Sequence, residues 1–249
     1  MSARRWRAGF ALGLLAALAA CSDGAGVPSW RTANAQQEAM RPTFNVQAAF
    51  NYTITDVTPL AFRIEGTAGG VPYVGTGFYE QSMLETVAEF GTQGGALRKS
   101  TPVRMNLTMG GREVKAESLT QEFYTRHGLQ LLGRVGKAPQ QEYLEVTSYA
   151  GLPSQAAVGT GGVLYTADRF SDEARSVRTG RTEATYTLEP DGVAGSAVLI
   201  VRAEDKGLDG STMAVTTTLY RINQGGTAKR VSETTADGSG NVTLTATFL

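Results

Sequence analysis

The chain holds one cysteine, one histidine and 8 prolines in 249 residues, and its apolar runs stop short of the roughly 20 residues that a helix needs to cross a bilayer. Each scarcity removes a class of function. Cys21 alone cannot build an intramolecular disulfide framework, so the core has to be held by packing. His127 alone excludes sites made of several histidines, and any Ser-His-Asp triad or imidazole base would have to use this one residue. It stands in Arg126-His127-Gly128, which reads as a solvated turn. The Gly-x-Ser-x-Gly elbow and the Ser-x-x-Lys pair of common hydrolases are missing. Gly159-Thr160-Gly161-Gly162 fails the dinucleotide fingerprint, because Leu164 stands where its third glycine belongs. Asp205 and Asp209 flank Gly207 without the alternate oxygen ligands of a calcium loop, and read as a hairpin turn. No cofactor or metal is expected. With 23 basic and 23 acidic residues there is no net field to draw nucleic acid or an anionic membrane surface.

What is present begins with charge. Arg4, Arg5 and Arg7 precede an uninterrupted apolar stretch from Ala8 to Ala20, the n-region and h-region of a targeting signal. Ala33-Asn34-Ala35 offers a later small-x-small cleavage site, and Arg4-Arg5 a twin-arginine reading that Arg7 spoils. The stretch closes on Leu18-Ala19-Ala20-Cys21. These four residues resemble the lipobox of bacterial lipoproteins. The resemblance implies that residues 1–20 are a removed signal peptide and that Cys21 is the lipid attachment site, acylated as the new N-terminus. Two or more acyl chains hold a protein firmly to a membrane, so the implied partner is a membrane reached through a lipid anchor. Ser22 follows Cys21 where an Asp commonly causes inner-membrane retention, which implies the outer membrane, facing the periplasm. Residues 21–43 then form the lipidated Cys and a flexible tether, whose coil length is about 25 Å up to Pro42.

From Phe44 the pattern changes. Phe44, Val46, Ala48, Phe50, Tyr52 and Ile54 occupy every even position, predicting a half-buried strand over 44–54. Phe62 and Ile64, then Val74 to Tyr79, predict two more. Ser82 and Glu85 have capping-box spacing, so a short helical turn running into a strand is expected over 82–90. Val103, Met105, Leu107 and Met109 alternate up to Gly110-Gly111, and Val114 and Ala116 resume beyond it, which predicts a hairpin. A second hairpin reads from Thr120–Tyr124 across His127 to Leu129–Leu132. The segment 133–141 carries no period and is taken as a domain boundary. Beyond it, further strands are expected over 143–149, 162–166, 183–189, 196–203, 213–222, 229–234 and 241–249, joined by turns such as Pro190-Asp191-Gly192 and Asp209-Gly210. The fold class is therefore all-β, an antiparallel sandwich or barrel, expected as two small β-domains in tandem over 44–133 and 142–249. Ile64 to Pro72 together with Gly161 to Thr166 resembles an uncharacterised group of proteobacterial lipoproteins, which brings no activity with it.

Three classes of function follow. The first is a non-catalytic envelope lipoprotein that presents β-domains to a protein or glycan. Its candidate contact is the polar segment 168–181, with Arg169, Arg175, Arg178 and Arg181. The second is a carrier that holds an apolar ligand in a barrel interior. The third is an outer-membrane barrel, against which Arg63, Arg104 and Arg202 interrupt the strands. A carboxylate-based hydrolase stays open beside them, because a paired Asp/Glu site leaves no spacing signature.

Overall fold

In the computed structural model, which describes residues 42–137 and 141–249, most alternating segments are strands. They are β1 (Thr43–Phe44), β2 (Leu60–Ala68), β3 (Val71–Tyr79), β4 (Glu85–Phe90), β5 (Gln93–Met109), β6 (Arg112–Tyr124), β7 (Leu131–Gly136) and β8 (Glu142–Tyr149). The series continues with β9 (Ala156–Ala157), β10 (Gly161–Phe170), β11 (Arg178–Pro190), β12 (Ser196–Gly207), β13 (Thr212–Asn223), β14 (Ala228–Asp237) and β15 (Val242–Phe248). One helix, α1 (Val46–Thr55), follows β1. Gly110 and Gly111, between β5 and β6, have φ of 55° and 79°. Left-handed backbone at both central residues matches a hairpin turn to the twist of its strands, and glycine adopts it without a Cβ clash.

The strands form one antiparallel sheet in the order β3-β2-β15-β14-β13-β12-β11-β10-β8-β7-β6-β5-β4, and β3 also pairs with β5. That second pairing closes twelve strands into a barrel. β5 is long enough to serve two partners. Its residues from Gln93 to Arg98 pair with β4, and those from Val103 to Met109 pair with β3. β4 therefore leaves the ring as a flap. Phe90 at its tip stacks on Phe123 at 4.2 Å, in a cluster with Ala96, Val135 and Tyr143. A Cβ on Gly133 would come within 2.5 Å of the Phe90 ring, so glycine is what lets the flap lie this close. The remaining two strands, β1 and β9, pair only with each other.

Three expectations are corrected. The two tandem domains are one barrel: β7 pairs with β8 from Gly133↔Glu145 to Gly136↔Glu142, straight across the expected boundary. The ring also closes through β2 and β15, from Phe62↔Phe248 to Ala68↔Val242, so neither half owns a complete sheet. The predicted strand at 44–54 is mostly α1. Val46, Phe50 and Ile54 are four residues apart, a spacing shared by period two and by one face of a helix; Ala49, also buried, fits only the helix. Finally, no helical turn precedes β4. Glu85 pairs instead with Arg98 at 2.6 Å, and the Ser82 hydroxyl accepts the Ser100 amide at 2.9 Å. The signal segment, Cys21 and the tether up to residue 41 lie outside the described residues.

Candidate functional site inside the barrel

Eight strands enclose a space that inward side chains just fill, and twelve enclose more. One end of the surplus is taken by α1 and β1. Phe44, Val46 and Ala49 pack there against Leu164, Ala184, Leu188, Ala197, Leu199 and Ile222. Burying each of the larger side chains contributes about 1.5–3 kcal/mol. Phe50, on the same helix, meets Tyr220 edge-on at 6.5 Å.

The helix is anchored at its other end by a buried cation. α1 stops ahead of Pro59, with Asp56 already extended at ψ 129°. That leaves backbone carbonyls without intrahelical partners. Lys99, reaching inward from β5 and fully buried, donates its Nζ to the carbonyl of Thr53 at 3.0 Å, to that of Asp56 at 3.1 Å, and to that of Ile54. The charge meets the negative end of the helix dipole. Burial pushes the Lys99 amine down to about 8, against the opposing pull of Glu122 and Asp56.

Between α1 and the strands there remains a cavity of about 820 Å³. One wall is apolar: Phe62, Ile64, Val103, Met105 and Leu244, from β2, β5 and β15. The rest is polar and aromatic. Arg230 lies 4.5 Å from the Tyr79 ring centre and 5.0 Å from that of Phe248, ion-paired with Glu233, which also accepts from the Thr218 hydroxyl at 3.0 Å. Burial works against the Arg230 charge, but Tyr79, Glu233 and Tyr220 outweigh it and raise its pKa. Burial likewise raises the Tyr124, Tyr165 and Tyr220 hydroxyls above the ordinary phenol value.

Glu122 on β6 and Arg134 on β7 are direct register partners, and both line the cavity. The Tyr124 hydroxyl donates to Glu122 Oε2 at 2.7 Å. Arg134 makes no ion pair among the described residues. Burial pulls its pKa down, while Tyr165, Glu142, Asp205 and Glu122 together raise it. The nearby carboxylates are engaged elsewhere: Asp205 accepts from the Thr182 hydroxyl at 2.5 Å, and Glu142 pairs with Arg169.

The four arginines singled out in the sequence do not converge. Arg169 is mostly buried in its pair with Glu142. Arg175 lies over the Phe90 ring at 4.8 Å and 3.1 Å from Glu145. Arg178 pairs with Asp168 at 2.6 Å, and exposed Arg181 stands 3.9 Å from Glu183. Only Arg178 and Arg181 share a surface depression, with Lys206. His127 is exposed in the turn between β6 and β7. Among the described residues no three His, Cys, Asp or Glu side chains are grouped as a metal site.

No family model, no curated protein and no solved structure matches this chain. The inward charges escaped sequence reasoning, although one signal was there. Carried backwards, the row Val103, Met105 and Leu107 passes through Thr101 to Lys99, which puts a cation in phase with apolar, inward residues. Glu122 and Arg134 carry no such mark, because neither lies in an apolar row.

Proposed function

We propose that this protein is a non-catalytic carrier that encloses a small ligand inside its barrel, held at the bacterial envelope by a lipid on Cys21 and facing the periplasm from the outer membrane. The observation that carries the reading is the cavity of about 820 Å³ left within a closed barrel, a size in the range of sites for small molecules. Its mixed lining favours an amphipathic ligand over the purely apolar one that a simple barrel carrier would suggest. The outer surface supports a barrel standing in water. Arg63, Glu65, Arg104, Lys115 and Glu117 are exposed on its strands, and Arg or Lys at the middle of a bilayer costs about 2–4 kcal/mol each.

The test uses the uncharged dye N-phenyl-1-naphthylamine, whose aromatic body and single N–H suit a mixed lining without engaging either charge. The folded protein should bind it with one-to-one stoichiometry and enhanced fluorescence, and Ser118→Trp, which fills the cavity from β6, should abolish the enhancement while the circular dichroism spectrum is kept. Dye binding that survives in Ser118→Trp, or none in the wild type, overturns the carrier reading.

A further inference from the structure

We infer that the cavity selects an amphipathic zwitterion, whose anionic group docks on Arg134 and whose cationic nitrogen docks on Glu122. The inference rests on the carrier reading and names its ligand class. Its starting point is a pair that does not close. Side chains directly opposite on adjacent antiparallel strands have Cβ atoms about 4.5–5.5 Å apart, within easy reach for Glu and Arg. Glu122 and Arg134 hold that relation and face the same cavity, yet form no ion pair with each other. Tyr124 donates to one carboxylate oxygen of Glu122, and the guanidinium of Arg134, which lines the same cavity, makes no hydrogen bond or ion pair among the described residues.

The surrounding charges decide between ligand types. An anion alone at Arg134 would face Glu122, its register partner, and Asp205, which lines the same cavity. A cation alone at Glu122 would face Arg134 and the buried Lys99, the residues opposite it on the two neighbouring strands. A ligand with both charges a few bonds apart meets attraction at each end, and molecules with only one are disfavoured. The apolar body then lies along Phe62, Ile64, Val103, Met105 and Leu244. One further group points the same way. Thr101, only 4% exposed, lines this cavity, and its hydroxyl has no hydrogen-bond partner among the described residues. Buried polar groups are rarely left so, and a ligand oxygen or nitrogen would satisfy it.

Free amino acids and zwitterionic lipid head groups share this chemistry, and calorimetric titration of the full chain separates them. One arm compares L-phenylalanine with phenylpropionate and phenethylamine, which each lack one charge. The other compares hexylphosphocholine with hexyl phosphate and hexyltrimethylammonium. At least one zwitterion should bind one-to-one and about tenfold or more tighter than both of its single-charge analogues. Glu122→Gln should weaken the zwitterion and its cationic analogue but spare the anionic one; Arg134→Met should do the converse. If Arg134→Met does not fold, Glu122→Gln and the two analogue series decide. Dye bound in the cavity while neither zwitterion exceeds its analogues, or affinities unchanged in Glu122→Gln, overturns the zwitterion and leaves the carrier standing. Absence of dye binding removes the carrier reading itself.

Discussion

Along β12 and β13 the barrel interior changes character within a few residues. At the α1 end Leu199 and Ile222 are at most 1% exposed, closed over by the helix. Farther along the same two strands, Ala203, Asp205 and Thr216 face the cavity. The backbone pairing is continuous through both regions, from Ala197↔Ile222 to Asp205↔Ala214. The strands therefore supply a wall of one kind, and the inward side chains with the helix decide whether a stretch becomes core or cavity. Stability should be concentrated at the helix end, and binding in the middle.

That contrast can be broken most directly in the core. Leu199→Ala should destabilise the protein by about 3 kcal/mol in urea denaturation, because a void among packed neighbours loses both transfer and contact energy. A loss below about 1 kcal/mol would mean that the helix end is packed no better than the cavity. Lys99→Met comes next, at about 2 kcal/mol, since the carbonyls of Thr53, Ile54 and Asp56 lose a buried, charged donor. Amide exchange in α1 should accelerate in this variant more than exchange in β12. Equal acceleration in both would show that Lys99 does not specifically hold the helix.

The pH dependence sharpens the same comparison, because the buried lysine and the cavity tyrosines act in opposite directions. In the folded state Lys99 loses its proton near about 8, whereas the unfolded chain keeps it until the ordinary value of 10.5. Across that window the unfolded state binds more protons, so stability rises with pH. Tyr124, Tyr165 and Tyr220 have raised pKa values, so their contribution is full below the ordinary value of 10.0 and is lost as pH climbs above it. Thermal denaturation should thus show an alkaline maximum, at about pH 9–10, with the rising limb missing in Lys99→Met. A rising limb that persists in that variant would detach it from Lys99. The smallest effect is expected at the cavity wall, where Ser118→Ala should change stability by less than about 0.5 kcal/mol. A cost near that of Leu199→Ala would mean that this region is core after all.

Much of the strand content was legible because its signals are local. Val103 to Met109, Gly110-Gly111 and Val114 to Ala116 spell out a hairpin, and β5 and β6 pair as that reading requires, down to Met109↔Arg112. The 44–54 segment misled because Val46, Phe50 and Ile54 satisfy two periods at once, and what settles it is the room inside a wide barrel that a helix can fill. The candidate site was less legible still. Glu122 and Arg134 are 12 residues apart across a turn, and nothing in their neighbours marks them as facing one cavity; the arginines of 168–181, singled out because that segment reads as a long connection, point to separate places.

By itself the sequence determined that the chain folds as antiparallel β-structure, where most of its turns fall, and that histidine clusters and disulfide frameworks have no parts here. These follow from side-chain period, from glycine's freedom at left-handed turns and from simple counting, all of which act over a few residues. Only the tertiary structure decided that the strands close into one ring instead of two domains, that a helix occupies one end, and that charges of both signs face a shared cavity. Closure depends on β2 finding β15 and β3 finding the far half of β5. Such pairings join residues remote in sequence, and no short-range pattern encodes them.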